Sequence, residues 1–228
     1  MKTNIKIFSV LITIIIPLLL IMTSIRILLN PFFLDYEYNQ PTFPADEYGF
    51  TKADRLHWGK LSLQYLTNSA GIEFLEELKF EDGQPIYNER ELSHMLDVKN
   101  LIQLMIKVMV PLAALLLISW LLAWRMGWQQ QFWRTVSHGG WATLGLIALI
   151  LAGVVLNFDA LFDGFHRIFF TGSTWLFYTN DTLIRLFPEK LWSDAFIFMG
   201  IFTLAGAVIC TFLGFRLASR VHHTQEIK

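Results

Sequence analysis

The chain has 228 residues, of which 54% are hydrophobic, 15% aromatic and 16% charged, and a mean hydropathy of +0.45, which is too apolar for an ordinary soluble domain and places it among membrane proteins. A net charge of −1 without clustered Lys and Arg excludes nucleic acid as a partner. The single cysteine, Cys210, lies inside an apolar run and reads as a packing residue, which excludes an intramolecular disulfide framework and a Cys/His zinc pattern.

From about Ile5 to Leu29 the chain is apolar, preceded by Lys2 and Lys6. The run is longer than the core of a signal peptide and lacks a small-residue cleavage site, so it is expected to be a retained anchor helix. No cysteine lies near its start, so the protein is not expected to be a lipidated lipoprotein itself. Further apolar runs at Leu101 to Trp124, Trp141 to Leu156 and Ala195 to Leu217 complete about four spans. Lys2, Lys6, Arg125, Arg134, Arg216, Arg220 and Lys228 then share one face, where Glu226 is the only acid, and this face is expected to be cytoplasmic. The opposite, acid-rich face is expected to be extracytoplasmic.

Between the first two spans, Pro31, Pro41 and Pro44 with Tyr36, Tyr38, Phe43 and Tyr48 predict an extended aromatic segment near the headgroups. Thr51-Lys52-Ala53-Asp54 is a capping box for a helix carrying Leu56, Leu63 and Leu66, and a shorter helix is expected near Ile72 to Lys79. Glu81-Asp82-Gly83-Gln84-Pro85 is a turn. The resulting helical cap is too small for a sizeable core of its own and is expected to rest on the outer ends of the spans. Asn88-Glu89-Arg90-Glu91 is a second capping signature, and its helix can run unbroken into the second span. Within that span Pro111 is a candidate kink, and Lys107 must snorkel or face inward.

The predicted division is therefore a first span over 1–29, an outer cap over 30–99, a second span over 100–124 and a cytoplasmic loop over 125–140. A third span covers 141–158, an outer aromatic loop 159–194, a fourth span 195–217 and a cytoplasmic tail 218–228. The fold class is an all-α membrane protein with four transmembrane helices and a small, mainly helical extracytoplasmic cap. No internal repeat, low-complexity segment, phosphate-cradling glycine loop or Gly-x-Ser-x-Gly elbow is present.

The stretch Asn157 to Phe170 stands apart. Read as a continued helix, Phe158, Phe162, Phe165 and Phe169 form an aromatic stripe, and Asp159, Asp163 and His166 fall on a second face. The topology puts His166, after the third span, and His94, before the second, at the same outer boundary on two helices. Each has an acid one helical turn before it, Asp163 and Glu91, placed to orient an imidazole. His138, His222 and His223 are cytoplasmic in this reading and His57 lies in the cap.

Three readings of the pair remain open. The histidines can be interfacial residues bonded to neighbouring acids with no chemistry. Glu91-x-x-His94 and Asp163-x-x-His166 superficially match di-iron elements, but the first and fourth spans supply little beyond Asp194, so the ligand count is short and no metal is assigned. The third reading is general acid–base catalysis on a substrate held at the membrane surface. The aromatic residues are either boundary anchors or a pocket wall for acyl chains. Arg167 is a headgroup or acid partner, or a contact for a developing oxyanion.

Asn88-Glu89-Arg90-Glu91-Leu92-Ser93-His94-Met95-Leu96-Asp97-Val98-Lys99, together with Phe162-Asp163-Gly164-Phe165-His166-Arg167-Ile168-Phe169-Phe170, Trp175 and Leu186-Phe187-Pro188-Glu189, resembles the bacterial lipoprotein intramolecular transacylase family. The stretch Thr171 to Tyr178 departs from the more polar pattern of that family. The resemblance implies an enzyme that moves the sn-2 acyl chain of a diacylglyceryl lipoprotein onto the amino group of the lipoprotein's N-terminal cysteine, giving the lyso form. It implies catalytic roles for His94 and His166, with the choice of base open. Weaker supporting positions are Glu91, Asp97, Asp163, Arg167, Phe165, Phe169 and Trp175. The expected partners are a diacylated lipoprotein and membrane lipid, and no cofactor such as CoA or ATP is needed. The rival class is a non-catalytic membrane protein whose cap binds a lipid or protein partner.

Overall fold

The structure is a computed structural model that describes residues 2–172 and 174–226, with side chains described over 5–172 and 174–221. The sequence-based expectations for the side chains of Lys2, His222, His223 and Glu226, and for Ser173 and Lys228, lie outside what is described. Among the described residues the secondary structure is α-helical, without strands beyond one isolated bridge from Lys79 to Pro85. In chain order the helices are α1 (Lys2–Leu28), α2 (Pro31–Tyr38), α3 (Lys52–Thr67), α4 (Glu73–Glu76), α5 (Glu89–Arg125), α6 (Gln129–Leu156), α7 (Phe158–Phe169), α8 (Thr182–Leu186) and α9 (Glu189–Glu226). Four are long and apolar enough to cross a membrane: Ile5–Leu28, Glu89–Arg125, Gln129–Leu156 and Glu189–Val221.

Two compact units divide the chain. The first contains residues 1–25, 106–152 and 197–228. Its helices approach through small residues, because an apolar solvent gives no hydrophobic drive and close backbone packing must hold them together. A Cβ on Gly140 would sit 2.7 Å from the Thr211 backbone nitrogen and 2.8 Å from the Ala207 carbonyl, and one on Gly214 would sit 2.6 Å from the Ser137 nitrogen. The Ser24 and Thr203 hydroxyls bond across the same unit at 2.9 Å. Ile14, Val110, Leu149 and Phe215 are exposed, as lipid-facing side chains would be. Lys107 is exposed too, which leaves snorkelling as its option.

The expected cytoplasmic loop 125–140 is mostly helix. Gly127 takes a left-handed φ of 74°, and Trp128 N–H donates back to the Ala123 carbonyl at 3.0 Å, so α5 is closed and α6 restarts at Gln129.

The second unit contains residues 26–105 and 153–196. The segment expected to be extended is instead α2: Asn30 accepts the Phe32 N–H at 3.0 Å and Pro31 occupies the first helical position, where its missing N–H costs nothing. The Thr51 and Asp54 capping box starts α3 as expected. The helix expected near Ile72 to Lys79 is cut to Glu73–Glu76, because the Lys79–Pro85 bridge and the bond from Phe80 N–H to the Gln84 carbonyl, 2.8 Å, turn the chain into a tight reversal at Gly83.

This unit has a buried core, which residues 30–99 do not form by themselves. Leu34, Leu63, Leu66, Leu75, Ile86 and Tyr87 from the first segment pack with Leu183, Leu186, Phe187 and Leu191 from the second. Pooling the two segments supplies the apolar area that residues 30–99 lack alone, at ~1.5–3 kcal/mol for each fully buried aliphatic side chain. Tyr38 donates to the Leu186 carbonyl and Ser62 bonds Tyr87 at 2.6 Å, so these two tyrosine hydroxyls of the core are paired.

Candidate active site

Both histidines lie in the second unit. His94 stands in the second turn of α5, which starts as the capping signature predicts: Glu91 N–H donates to the Asn88 side chain at 3.0 Å, and Asn88 N–H to the Glu91 carboxylate at 2.8 Å. His166 belongs to α7, a helix separate from α6. Asn157 breaks the run by accepting the Ala160 N–H at 3.0 Å, so the third apolar helix stops at Leu156 and a new one begins. The stretch is helical as expected, with Phe158, Phe162, Phe165 and Phe169 on one helix, but that helix does not continue α6.

The imidazole rings of His94 and His166 have centroids 6.0 Å apart, tilted by 25°, and each residue is only 8% exposed. No hydrogen bond joins them, so both rings are within reach of one bound functional group without neutralising each other. The walls are aromatic. Phe170 and Phe177 present edges to His94 at 5.1 and 5.3 Å, Phe162 lies 4.2 Å from His166, and Trp175 stacks on His166 at 5.0 Å and 30°.

His166 sits with the aromatic residues more than with the acids. Its Nδ1 lies 2.8 Å from the Phe162 carbonyl, one helical turn back. A carbonyl can only accept, so Nδ1 carries the proton and Nε2 is left with a free lone pair. Burial holds this imidazole below its ordinary range, against the opposing pull of the Phe162 bond and of the Asp163 charge. A neutral ring with a defined tautomer is the state a general base needs. Among the described residues His94 Nδ1 and Trp175 Nε1 are buried without a hydrogen-bond partner, a condition that costs ~1–3 kcal/mol per group and calls for an explanation.

The remaining expected residues are placed differently. Glu91, 1% exposed, does not orient His94: its second oxygen accepts the Leu183 N–H at 2.7 Å, so one carboxylate serves the N-termini of both α5 and α8. Asp97 makes only a long 3.4 Å contact with the Thr174 hydroxyl. Asp163 and Arg167 are exposed, Phe165 is half-buried with its ring 5.6 Å from His166, and the Phe169 ring lies 4.8 Å from Phe165, tilted by 45°. Among the described residues no three His, Cys, Asp or Glu side chains gather.

Sequence reasoning left Phe162, Phe170, Phe177, Arg90 and Asp181 out of the site. Phe162 and Phe170 stand four residues either side of His166, a helical spacing that could have found them. Asp181 accepts from Arg90 at 2.6 Å, Asn88 at 3.0 Å and the Tyr178 backbone at 2.8 Å. Arg90 also covers the Tyr178 ring at 4.7 Å, so this cluster holds the segment that carries Phe177 to His94. Nothing in the local sequence marks that long-range pairing.

Over 92% of its length the chain is 27% identical to an uncharacterised protein of Aquifex aeolicus, covering 94% of that protein. Its fold matches the membrane-integral lipoprotein intramolecular transacylase Lit of Bacillus cereus with a TM-score of 0.76 over the whole of both chains, at 17% identity. Structures of that protein with a histidine-to-arginine and a histidine-to-alanine substitution match at 0.70 over 98% of this chain and 96% of theirs, and at 0.71 over 100% and 97%, with 16% and 18% identity. The family model for lipoprotein intramolecular transacylase Lit matches residues 10–192, and the chain belongs to that family.

Proposed function

We infer that His94 and His166 carry out the acyl transfer of this family: the sn-2 acyl chain of a diacylglyceryl lipoprotein moves to the α-amino group of its N-terminal cysteine, leaving a lyso-form lipoprotein. The observation that carries the residue assignment is the His166 Nδ1 bond to the Phe162 carbonyl, which leaves a neutral Nε2 lone pair on a buried ring, walled by aromatic residues and 6.0 Å from the His94 ring. A terminal amine with a pKa near ~8 is largely protonated at neutral pH, and attack on an ester needs it neutral. His166 takes the amine proton as the C–N bond forms. The departing glyceryl oxygen must regain a proton, and His94, 6.0 Å away, is the group placed to relay or supply it.

Donor and acceptor belong to one substrate, so positioning contributes most. Effective molarities of ~10⁵ M and above are attainable for well-oriented intramolecular reactions, against ~10²- to 10⁴-fold for acid–base help. The rings of Phe162, Phe165, Phe170 and Phe177 form walls suited to acyl chains. Ester is exchanged for amide, so no CoA or ATP enters.

The orientation we favour has both termini in the cytoplasm and the site outside. All but one of the acids fall within the residue ranges of the second unit, whereas the first holds eight of the Lys and Arg residues against Glu226 alone, the pattern expected of a cytoplasmic face.

The test is co-expression with a diacylated reporter lipoprotein. Substrate and product are isomers, so the reporter must be fragmented by tandem mass spectrometry to place the acyl chain on nitrogen or glyceryl oxygen. Transfer is expected with the native chain and a loss of at least ~10²-fold in His94→Ala and in His166→Ala. Full activity in both variants would refute the site, and an unmodified reporter would favour a non-catalytic binding protein.

A further inference from the structure

The mechanism above leaves one charge unattended. When the amine adds to the ester carbonyl carbon, the carbonyl π pair moves onto oxygen, and in an apolar enclosure that oxyanion needs a preorganised donor. Arg167, the residue the sequence offers for this, is exposed. Among the described residues, two buried ring nitrogens in the cage lack a partner, His94 Nδ1 and Trp175 Nε1. They differ in kind. An imidazole nitrogen donates or accepts according to its tautomer, whereas an indole N–H only donates and does not titrate. Buried indole N–H groups ordinarily find an acceptor.

We propose that the Trp175 indole N–H is the oxyanion donor of the transacylation, a role that rests on His166 being the base. Trp175 lies 5.0 Å from His166, with the two ring planes inclined by 30°, so the indole is stacked on the base, and the proposed role requires its in-plane N–H and the Nε2 lone pair to border the same space. An amine nitrogen hydrogen-bonded to Nε2 at ~2.9 Å and a carbonyl oxygen bonded to the indole at a similar distance fit side by side across rings at that separation. Phe162, Phe165 and Phe170 lie close to His166 as well and exclude the water that would otherwise screen the charge.

The step balances without a co-reactant. The amine nitrogen bonds to the carbonyl carbon, its proton passes to His166 Nε2, and the oxygen carries the negative charge against Trp175. On collapse the pair returns to the carbonyl, the ester C–O bond breaks, and the glyceryl oxygen takes the proton, giving an amide and a free hydroxyl.

The experiment uses the full chain in detergent micelles with a synthetic dipalmitoyl lipopeptide, read by tandem mass spectrometry. Replacing Trp175 by β-(3-benzothienyl)alanine substitutes sulfur for the N–H and keeps ring size and stacking. The expected result is a kcat lower by about 100-fold, the loss typical of one oxyanion donor, with KM within about twofold and the acidic limb of the pH profile unmoved. Wild-type kcat in that analogue overturns the proposal, and so does a shifted acidic limb, which would mean that Trp175 acts by setting the environment of His166. Trp175→Phe is a second, genetically encoded arm: it keeps a ring against His166 and must also lose kcat, and wild-type turnover in it overturns the proposal equally. His166→Ala run alongside separates the two readings, because activity surviving there removes the base whatever the Trp175 variants do.

Discussion

Replacing Glu91 separates a catalytic from an architectural role. As the acid one turn before His94 it would tune an imidazole, but in the structure its carboxylate accepts from Asn88 N–H at 2.8 Å and Leu183 N–H at 2.7 Å. Glu91→Ala removes the reciprocal half of a capping box, ~1 kcal/mol, and orphans a buried backbone donor at the start of α8, ~1–3 kcal/mol. The sum is ~2–4 kcal/mol, which for a chain of this size lowers the unfolding midpoint by on the order of 10 °C. Glu91→Gln keeps one acceptor and turns an amide N–H toward the other donor, so it should fall between Ala and wild type. Intrinsic tryptophan fluorescence during heating of the detergent-purified protein reads the midpoint, and lipopeptide turnover across pH reads the chemistry. Both variants should lose stability in the order Ala then Gln, with an unchanged acidic limb in whatever activity remains. A Glu91→Gln protein with a wild-type midpoint but a displaced acidic limb would refute the structural assignment and restore Glu91 as the partner of His94.

Activity should rise with pH through deprotonation of His166 at a value below 6.5, because burial disfavours the imidazolium. Asp163 opposes that shift, so Asp163→Asn should move the acidic limb further down, and a limb that moves up contradicts the reading. The same group binds protons more readily when unfolded, so its contribution to stability is present above 6.5 and lost as pH falls below it, measurable as a declining midpoint. Glu37, 1% exposed, is pushed up to about 7 by burial and by the adjacent Asp194. Its neutral form is the one the fold favours, so stability is lost as pH rises from 4.5 toward 7, and Glu37→Gln should flatten that slope. Gly140→Ala places a Cβ 2.7 Å from the Thr211 backbone nitrogen, and the helices must separate, at ~1–3 kcal/mol by thermal unfolding.

Much of this was legible locally. Four apolar runs marked four helices, and Thr51 with Asp54 and Asn88 with Glu91 announced helix starts, because a cap is satisfied within one turn. Alternation of spans was enough to set His94 and His166 at one boundary before any contact was known. Asn30-Pro31 could have been read the same way, but the prolines and tyrosines after it pointed to extended chain, and the reading followed the longer pattern. The break at Asn157 was likewise missed, because the phenylalanine stripe that begins at Phe158 follows the apolar run with one residue between.

What periodicity and capping could not decide was which distant group each polar atom would meet. Glu91 had an imidazole one turn away, yet it pairs with Leu183, ninety-two residues on, because a buried helix start supplies an orphan N–H that an oriented carboxylate satisfies better. Asp181 reaches Arg90 and Asn88 across a comparable interval, and Phe177 and Trp175 close on the histidines from the segment it holds. The chain alone thus set two histidines at one boundary of a membrane protein, since the membrane setting follows from composition and the placement from the alternation of spans. Tertiary packing alone decided that His166 is buried and held toward its neutral form, that Glu91 is a pin, and that an indole N–H is buried without a partner among the described residues, since burial belongs to the assembled core and not to any one segment.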